Sequence, residues 1–505
     1  MDTIKTLEKP TKPRCLMPVS VKTSALNIFL VFVFLHVQIN FNDVVAEALS
    51  SNSNTKRSRQ QRQQNTATQQ KAFKSKSNRI NANEGNSPNQ PVNFQRELQS
   101  NCHTPHDILL NVGRLLTPQR DPQGRVASLA MIRLSKVLMY NSNQQYQYDE
   151  IPNGGRKMND RKELLELDMD NQECSKAFTR MGQVLAQSIR NFPKQSDTRK
   201  QQLQIHDITI EGIKAAAIVA RILSSHSAMT LEYQHVFKAL VFAVHKTSSS
   251  SAQNDYTTSM EPHHLSGLVW ALECLDLALR PTRKQQKDDG GVIPVAIGMA
   301  YQDLKLPFQV RPGFMKQIES QKDGSNDLNL TLQDVVSQVD FITDTIKTTT
   351  KTIVQERRQT AWQGEDHVPG FAYSGKFMPT TSFSPIVRRV QQALYNRTNV
   401  NYDCCLLNLY PNGGSGMRYH IDPDQGTLWG YDTCVVSVGA SRRFAFREPD
   451  GGGQPHMFVV MDGDVTEMRA DCQSKYQHTV KPAENKSEMA TRSSLVFKKS
   501  LITNQ

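Results

Sequence analysis

The spacing of apolar residues changes once along this chain of 505 residues, and that change limits the architectures it can adopt. Between residues 103 and 280, apolar side chains recur at three- and four-residue intervals, as in VASLAMIRLSKVLM (Val126–Met139) and LSGLVWALECLDLAL (Leu265–Leu279). This period predicts amphipathic helices that pack as hairpins. From Cys404 onward, short alternating runs such as TCVVSVGA and RRFAFRE are separated by Gly and Asp turns. We therefore predict an α+β protein, in which an all-α helical domain precedes a jelly roll (double-stranded β-helix).

Further segments fit this division. AFTRMGQVLAQSI (Ala177–Ile189), GIKAAAIVARIL (Gly212–Leu223) and HVFKALVFAVHK (His235–Lys246) show the helical period, and a mostly polar stretch at 330–357 is also predicted to be helical. LPFQVRPGFM predicts a strand and a turn. SGLVWAL (Ser266–Leu272) is faintly similar to helical repeats of organellar RNA-binding proteins. Because the helices are irregularly spaced, a generic helical bundle remains the alternative.

Two N-terminal segments are predicted to lie outside the folded domains. The apolar run LNIFLVFVFLHV is short for a membrane-spanning helix, so we interpret residues 1–48 as a signal peptide with a small-x-small site at Ala46-Glu47-Ala48, or as a retained signal anchor. A cleaved signal would leave the mature chain without a stable membrane span. Residues 49–100 are polar and basic, which predicts disorder, either as a transit peptide or as a plain linker. We expect entry into the secretory route, with a plastid or the endomembrane system as the destination.

Charge and cysteine content exclude simpler interpretations. The formal net charge is +12, but residues 49–100 contain nine Lys/Arg and two Asp/Glu, so more than half of the excess belongs to that tail and does not by itself indicate nucleic acid. The eight cysteines include no CxxC pair, and the adjacent Cys404 and Cys405 are predicted to be core thiols of a strand. A charged segment ending in paired glycines predicts a linker at 281–300, between the helical domain at 103–280 and a C-terminal domain at 301–505.

A polar segment, RYHIDPDQG, interrupts the strand-like blocks CCLLNLY and CVVSVG. On an extended backbone His420 and Asp422 point to the same face, so they offer an imidazole and a carboxylate to a common point. His478 in KYQHTV is the best-placed C-terminal histidine for a third ligand. Two histidines and one carboxylate form the facial triad of non-haem Fe(II) oxygenases, which leaves positions open for a co-substrate and O₂.

The last predicted strand, RSSLVFK, adds a pattern that binds carboxylates. Arg492 and Ser494 are two residues apart and share one strand face. A guanidinium and a hydroxyl on that face can hold a carboxylate by charge-assisted hydrogen bonds. The distal end of 2-oxoglutarate is such a group, so the pattern predicts 2-oxoglutarate as the co-substrate.

These blocks, in this order, resemble the AlkB-like family of Fe(II)/2-oxoglutarate dioxygenases over roughly residues 305–499. The resemblance is carried by NLYPNGGSGMRYHIDPD, VVSVGASRRFAFR, MDGDVTEM, KYQHTV and RSSLVFK. Upstream, RRQTAWQGEDHVPGFAYSGKFMP is similar to the family's nucleotide-recognition lid. The resemblance implies an oxygenase domain at 301–505 that uses Fe(II), with 2-oxoglutarate and O₂ as co-substrates.

The resemblance also implies residue roles. His420, Asp422 and His478 would be the catalytic iron ligands. The residues that match the family's 2-oxoglutarate ligands are Asn408, Tyr410, Arg492, Ser494 and, in place of a second arginine, Lys498. The residues that match its base-contacting positions are Asp424, Trp362, Phe371 and Tyr373. The segment between Tyr410 and His420 is one residue longer than in the bacterial archetype.

Alternatives remain for two of these residues and for the substrate. Trp362 is also a candidate core or surface anchor, and Asp424 is also a candidate turn residue after Pro423. The favoured function is oxidative demethylation of alkylated RNA or DNA. The alternatives are hydroxylation or demethylation of a protein side chain, and a helical RNA-binding module with a passenger oxygenase domain. A basic groove beside the iron, rather than a neutral or acidic one, would favour nucleic acid.

Overall fold

The computed structural model describes residues 104–116, 121, 124–150, 156–158, 172–191, 199–224, 261–283, 304–316, 330–347 and 350–502. The described residues all fall within one unit of the chain, Val92–Gln505. The predicted signal and tail, most of the predicted linker and the predicted helix at 235–246 lie outside them. In the part of the chain that is described, no helix combines the length and the apolar character needed to cross a membrane.

Helices occupy most of the described chain before residue 284. They are α1 (Pro105–Leu115), α2 (Arg125–Asn143), α3 (Gln172–Asn191), α4 (Arg199–Ile222) and α5 (Pro262–Arg283), with a short hairpin of β1 (Tyr148–Glu150) and β2 (Arg156–Met158) after α2. The four predicted helices that lie in described residues are confirmed, and each begins earlier than predicted. Helix α1 begins at a capping box, in which Thr104 and Asp107 each bond the other's main-chain N–H at 3.1 Å.

The C-terminal part is built on two antiparallel sheets, as expected for a jelly roll. The larger sheet has the order β3-β13-β10-β15-β9-β6 and the smaller one β12-β11-β14. Their strands are β3 (Phe308–Arg311), β6 (Gln359–Gly364), β9 (Cys404–Tyr410), β10 (Thr433–Gly439), β11 (Arg442–Arg447), β12 (His456–Val460), β13 (Val465–Met468), β14 (Gln477–Val480) and β15 (Arg492–Lys498).

The larger sheet is buried on both faces. Along β9, Leu406 and Tyr410 belong to the apolar cluster shared with the smaller sheet, whereas Leu407 and Leu409 belong to the cluster under α6 (Leu332–Gln338) and α7 (Pro385–Thr398). This arrangement follows from the alternation of side chains along a strand. It leaves the space between the two sheets for the candidate site.

Two β-hairpins flank β6, an edge strand of the larger sheet, along the chain. The predicted helix at 330–357 is wrong beyond α6, because β4 (Thr345–Lys347) pairs with β5 (Ile353–Gln355). The segment 345–354 is rich in Thr, Ile and Val, whose branched side chains favour strands. A second hairpin joins β7 (Phe371–Tyr373) and β8 (Lys376–Met378) within the predicted lid, and a short helix, α8 (Cys472–Lys475), precedes β14.

The helical region packs directly on the strands of the jelly roll. The Trp270 ring of α5 makes an edge contact with Phe458 of β12 at 6.3 Å between centroids. Arg221 of α4 forms a buried, bidentate pair with Asp464, with N–O distances of 2.8 and 2.6 Å. One apolar cluster contains residues of both regions. The helices therefore cover one face of the jelly roll.

Candidate metal centre and adjoining cavity

The three predicted metal ligands lie together. His420 and Asp422 belong to the segment between β9 and β10, and His478 lies on β14. The main chains of the two histidines exchange N–H to O bonds of 3.1 and 2.9 Å, as an isolated antiparallel bridge. Asp422 Oδ1 lies 3.5 Å from His420 Nε2 and 3.6 Å from His478 Nε2. Within the described ranges, this is the one cluster of three or more side chains able to hold a metal ion.

Two side chains hold the Asp422 carboxylate in place. The ammonium of Lys498, which is fully buried, donates to Asp422 Oδ2 at 2.6 Å. Gln473 of α8 accepts from the Asp422 main-chain N–H at 3.0 Å and donates to Oδ2 at 3.4 Å. Both contacts on the carboxylate use Oδ2, so Oδ1 is directed to the histidines. Partners of this kind orient the ligands of a metal.

Burial and neighbouring charges set the protonation of these ligands. Burial, together with the neighbouring His420, lowers the pKa of His478 to about 3, so its imidazole is neutral near pH 7. Burial alone would raise the pKa of Asp422, but Lys498 and His478 outweigh it and the pKa lies well below its usual range. The site thus offers an ionised carboxylate and a neutral imidazole, which are the forms that bind metal.

The donor set fits Fe(II). His420 Nδ1 lies 2.9 Å from the carbonyl oxygen of Arg418, which assigns the proton to Nδ1 and the lone pair to Nε2. The ligand atoms of the two histidines and the carboxylate lie within 4.8 Å of one another. Two histidines and one carboxylate in this arrangement form the facial set of non-haem Fe(II) oxygenases.

A second cluster of buried polar side chains lies on β9 and β15. Across these strands Arg492 lies opposite Tyr410, and Ser494 lies opposite Asn408. Arg492 Nη2 donates to Ser437 at 2.9 Å, whereas Arg492 Nε and Nη1, the Tyr410 hydroxyl and Asn408 Oδ1 have no hydrogen-bond partner among the described residues. Burial lowers the pKa of Arg492 to about 10. A carboxylate would accept hydrogen bonds from the Arg492 guanidinium and the Tyr410 hydroxyl, so these donors fit the distal end of 2-oxoglutarate.

A cavity of about 250 Å³ connects the two clusters. The metal ligands line it together with Asn408, Tyr410 and Ser494. Much of the rest of the wall is apolar and comes from both sheets, including Leu406, Val435, Phe444 and Val496. The volume is at the small end for ligand sites, which suits a small co-substrate and one reacting group of a larger substrate.

The predicted lid aromatics occupy two layers. Phe371 and Tyr373 line the cavity. Trp362 is buried behind them, where its ring stacks on Phe371 at 4.7 Å and its Nε1 donates to the Pro369 carbonyl at 3.1 Å. Trp362 therefore supports the lid from the core side, which corresponds to the anchor alternative for this residue.

Asp424 lies in a turn outside the cavity lining. Its backbone has a φ of 56°, and its carbonyl oxygen accepts main-chain bonds of 3.2, 3.0 and 3.1 Å from Thr427, Leu428 and Trp429. The side chain is exposed, and the neighbouring Pro423 lines the cavity instead. This geometry corresponds to the alternative in which Asp424 shapes the turn.

Lys498 contacts Asp422, a predicted metal ligand, and not the Arg492 cluster. Besides Asp422, its ammonium lies 3.4 Å from the Thr433 hydroxyl. The structure thus gives this strand two cations with different neighbours, Arg492 at one end and Lys498 at the other. A direct contact between Lys498 and 2-oxoglutarate stays a prediction.

Sequence reasoning missed a buried ionic cluster beneath the lid. Glu356 accepts from Tyr373 Oη at 2.9 Å, from Arg358 Nε at 3.1 Å and from Lys376 Nζ at 3.3 Å. Arg358 also lines the cavity. The cluster is hidden in the sequence because Glu356 lies in, and Arg358 directly after, the polar stretch at 330–357 for which a helix is predicted. Gln473 was missed because a single Gln on a four-residue helix forms no pattern.

Comparison with known proteins defines the class. Residues 309–498 match the family model of the 2OG-Fe(II) oxygenase superfamily. An uncharacterised protein of Acanthamoeba polyphaga mimivirus is 33% identical over 127 residues, which is 25% of this chain and 65% of the viral protein. The DNA oxidative demethylase ALKBH2 of Homo sapiens is 25% identical over 142 residues, which is 27% of this chain and 54% of the human protein. The chain therefore spans about half to two thirds of these curated relatives.

The match and the site geometry together place the C-terminal part among the 2-oxoglutarate- and Fe(II)-dependent dioxygenases. Within that class, the chain is similar to the DNA oxidative demethylase ALKBH2 of Homo sapiens and of Mus musculus, which agrees with its resemblance to the AlkB-like family. The solved structure of OsALKBH1 aligns with 38% of this chain and 97% of its own chain, at 15% sequence identity. The TM-score of this alignment is 0.26, so it carries no argument about fold or substrate.

Proposed function

We propose that this protein is an Fe(II)- and 2-oxoglutarate-dependent dioxygenase that demethylates alkylated nucleic acid by oxidation. The observation that carries the proposal is the cavity in which the His-Asp-His cluster meets Asn408, Tyr410 and Ser494, with the buried Arg492 guanidinium 5.6 Å from the centroid of the Tyr410 ring. The similarity to a DNA oxidative demethylase and the lid aromatics Phe371 and Tyr373 support a base as the target.

The two clusters would bind different groups, the metal ion and the co-substrate. His420, Asp422 and His478 would hold Fe(II), and Arg492, Tyr410 and Asn408 would hold 2-oxoglutarate. When bound, Fe(II) and 2-oxoglutarate supply the chemistry that converts 2-oxoglutarate and O₂ into succinate and CO₂ and hydroxylates a substrate C–H bond; on an N-methyl group, formaldehyde then leaves.

Other side chains of the cavity orient the reactants and exclude water. Tyr373 is fixed by its hydrogen bond to Glu356, so its ring keeps its place in the cavity wall. The Phe444 ring lies parallel to the His478 ring, with centroids 5.9 Å apart. An apolar wall around a polar floor limits access of water and holds a substrate group near the metal ligands.

The proposal is tested with the full-length protein, Fe(II), 2-oxoglutarate, and total RNA or alkylated DNA. Mass spectrometry of the nucleosides should show loss of methylated bases, matched by release of succinate and formaldehyde. The His420→Ala variant should give none of these products. Succinate without any nucleoside change would favour a protein substrate, and the absence of succinate would contradict the dioxygenase itself.

We also propose that residues 1–48 direct the protein into the secretory route. The support is the apolar run at 26–37, which lies outside the described residues. A fluorescent protein fused after residue 100 should enter the endoplasmic reticulum or a plastid, and deletion of 1–48 should prevent this. Equal distribution of the two fusions would contradict the proposal.

A further inference from the structure

Basic side chains follow the outward face of β11. Arg443 and Arg447 are four residues apart and share that face, while Phe444 and Phe446 point into the core. Lys481 follows β14, and its main-chain N–H donates to the Arg443 carbonyl at 2.9 Å. Three cations therefore lie side by side on the smaller sheet.

One end of this row lies on the outward face of the smaller sheet, behind the metal-binding histidines, because successive side chains of a strand point to opposite faces. The Arg447 guanidinium lies 4.0 Å from the ring centroid of Tyr419, and the Lys481 ammonium lies 5.6 Å from it. Arg447 also donates to Gln477 through Nε at 3.0 Å and Nη2 at 2.9 Å. Tyr419 and Gln477 immediately precede the two metal-binding histidines, and the buried Tyr419 hydroxyl has no hydrogen-bond partner within the described ranges.

The other end is a second cavity, of about 390 Å³, between α2 and the oxygenase. Arg133 and Lys136 of α2 line it opposite Arg443 and Glu484. Glu484 pairs with Lys136 at 3.2 Å and also with Arg443, and all three side chains are one third or more exposed. One carboxylate is thus shared by two cations, and Arg133 lines the same cavity. Burial, together with Arg443 and Arg133, lowers the pKa of Lys136.

The other charged residues around this cavity do not cancel its excess of positive charge. Arg442 and Glu488 also line it, but they are buried and face each other at 3.7 Å, so their charges offset. Glu211 of α4 favours the charged form of Lys136, yet it is paired with Lys214 at 2.7 Å. The cavity therefore keeps a positive potential that an anionic group would stabilise.

We propose that Arg133, Lys136, Arg443, Lys481 and Arg447 form one basic strip that binds the phosphate backbone of a nucleic acid strand on the outward face of the smaller sheet. The inference rests on the proposed function and gives the helical region a part in substrate binding. Two cations four residues apart on a strand are separated by about 13 Å, which exceeds the reach of one phosphate and fits a polyanion. Such contacts position a strand without reading its sequence.

The test measures how full-length protein binds a short, fluorescent single strand of deoxythymidine at increasing salt. Removing one cation that binds a phosphate should lower the slope of log K against log salt by about 0.7, and the affinity by about fourfold near physiological salt. We expect this for Arg443→Gln, Arg447→Gln and Lys136→Gln. Glu484→Gln should bind more tightly, because a phosphate no longer competes with that carboxylate.

Matched variants separate charge from folding. Arg443→Lys and Arg447→Lys keep the charge and should keep the wild-type slope. Lys316→Gln removes a charge from another exposed, ion-paired lysine, 3.1 Å from Asp462, and should bind as wild type does. Thermal unfolding of each variant checks the fold.

The outcomes distinguish the two proposals. If wild type binds while the Gln variants of the strip match Lys316→Gln, the strip is wrong and the proposed function stands. If Arg447→Gln lowers the slope but Lys136→Gln and Arg133→Gln do not, the helical region has no part in the strip. If wild type binds no strand even at low salt, the nucleic acid substrate itself is contradicted.

Discussion

Lys498 holds one oxygen of the Asp422 carboxylate, at 2.6 Å, while the other oxygen faces the histidines. The Lys498→Met substitution removes the ammonium and leaves an unbranched, apolar side chain of similar length. We expect it to weaken metal binding about 10- to 100-fold, the usual cost of losing a partner that orients a ligand. Titration of the metal-free protein with Mn(II), which resists oxidation, measures the change. The exposed Lys499 supplies the control, since Lys499→Gln should bind Mn(II) as wild type does.

Arg492 is expected to determine the affinity for 2-oxoglutarate. A hydrogen bond to a charged group contributes roughly 1.5–3 kcal/mol, so Arg492→Gln should raise the half-saturating 2-oxoglutarate concentration about 10- to 100-fold. Arg492→Lys keeps the charge without the fork and should fall between the two. Succinate release without nucleic acid substrate gives the titration curves. Superimposable curves for Arg492→Gln and wild type would show that the buried donors serve another purpose.

The strands that build the site were predictable at the scale of the element, but the hairpin of β4 and β5 was not. The period-two patterns that flank His420 and that form the last strand are short and sharply bounded. The structure has strands β9, β10 and β15 at these positions. The stretch at 330–357 mixes polar residues with branched ones, so its period is ambiguous without knowledge of what covers it. Trp362 and Asp424 fit a family motif in sequence, but only the packing and the backbone φ show where they point.

The junction of α5 with β12 predicts a pH effect on stability. His456 Nδ1 lies 2.8 Å from the Ser266 hydroxyl, and burial, with His263 and Lys214 nearby, lowers the pKa of His456 to about 4. An unfolded histidine titrates near 6.5, so the unfolded chain binds the proton first. The stability that neutral His456 contributes is complete above about pH 6.5 and is lost as the pH falls toward 4, by about 3 kcal/mol.

The His456→Gln variant removes this titration. Its melting temperature should fall less than that of wild type between neutral pH and pH 4.5, whatever its value at neutral pH. Thermal unfolding of both proteins across the range gives the comparison. Parallel curves would mean that the His456 imidazole becomes protonated in the folded state as easily as in the unfolded chain.

At the scale of the whole molecule, the sequence indicated a helical part and an oxygenase part but not how they meet. Amphipathic periodicity shows that a helix has an apolar face and does not show which element covers it. The Arg221–Asp464 pair could not be foreseen either, because its two residues are far apart in the chain and belong to no pattern. The structure places the Trp270–Phe458 contact on β12 and the Arg221–Asp464 pair just before β13, so the helices support the jelly roll.

A fragment that starts near Gly291 tests this dependence. It would leave the buried Asp464 without Arg221, at a cost of about 3–5 kcal/mol, and would expose the apolar surface that Trp270 covers. We expect it to melt at a lower temperature than a fragment of residues 92–505 and to bind a hydrophobic dye. Equal melting temperatures would show that the oxygenase strands are stable by themselves.

The backbone bridge between His420 and His478 ties the metal centre to the alignment of two chain segments. Successive side chains on an extended segment point in opposite directions, so a slip of one residue would turn an imidazole away from Asp422. Metal uptake therefore reports the register of these two segments. A molecule assembled in the wrong register lacks a ligand, so the metal-loaded fraction of a preparation equals the fraction of correctly aligned molecules.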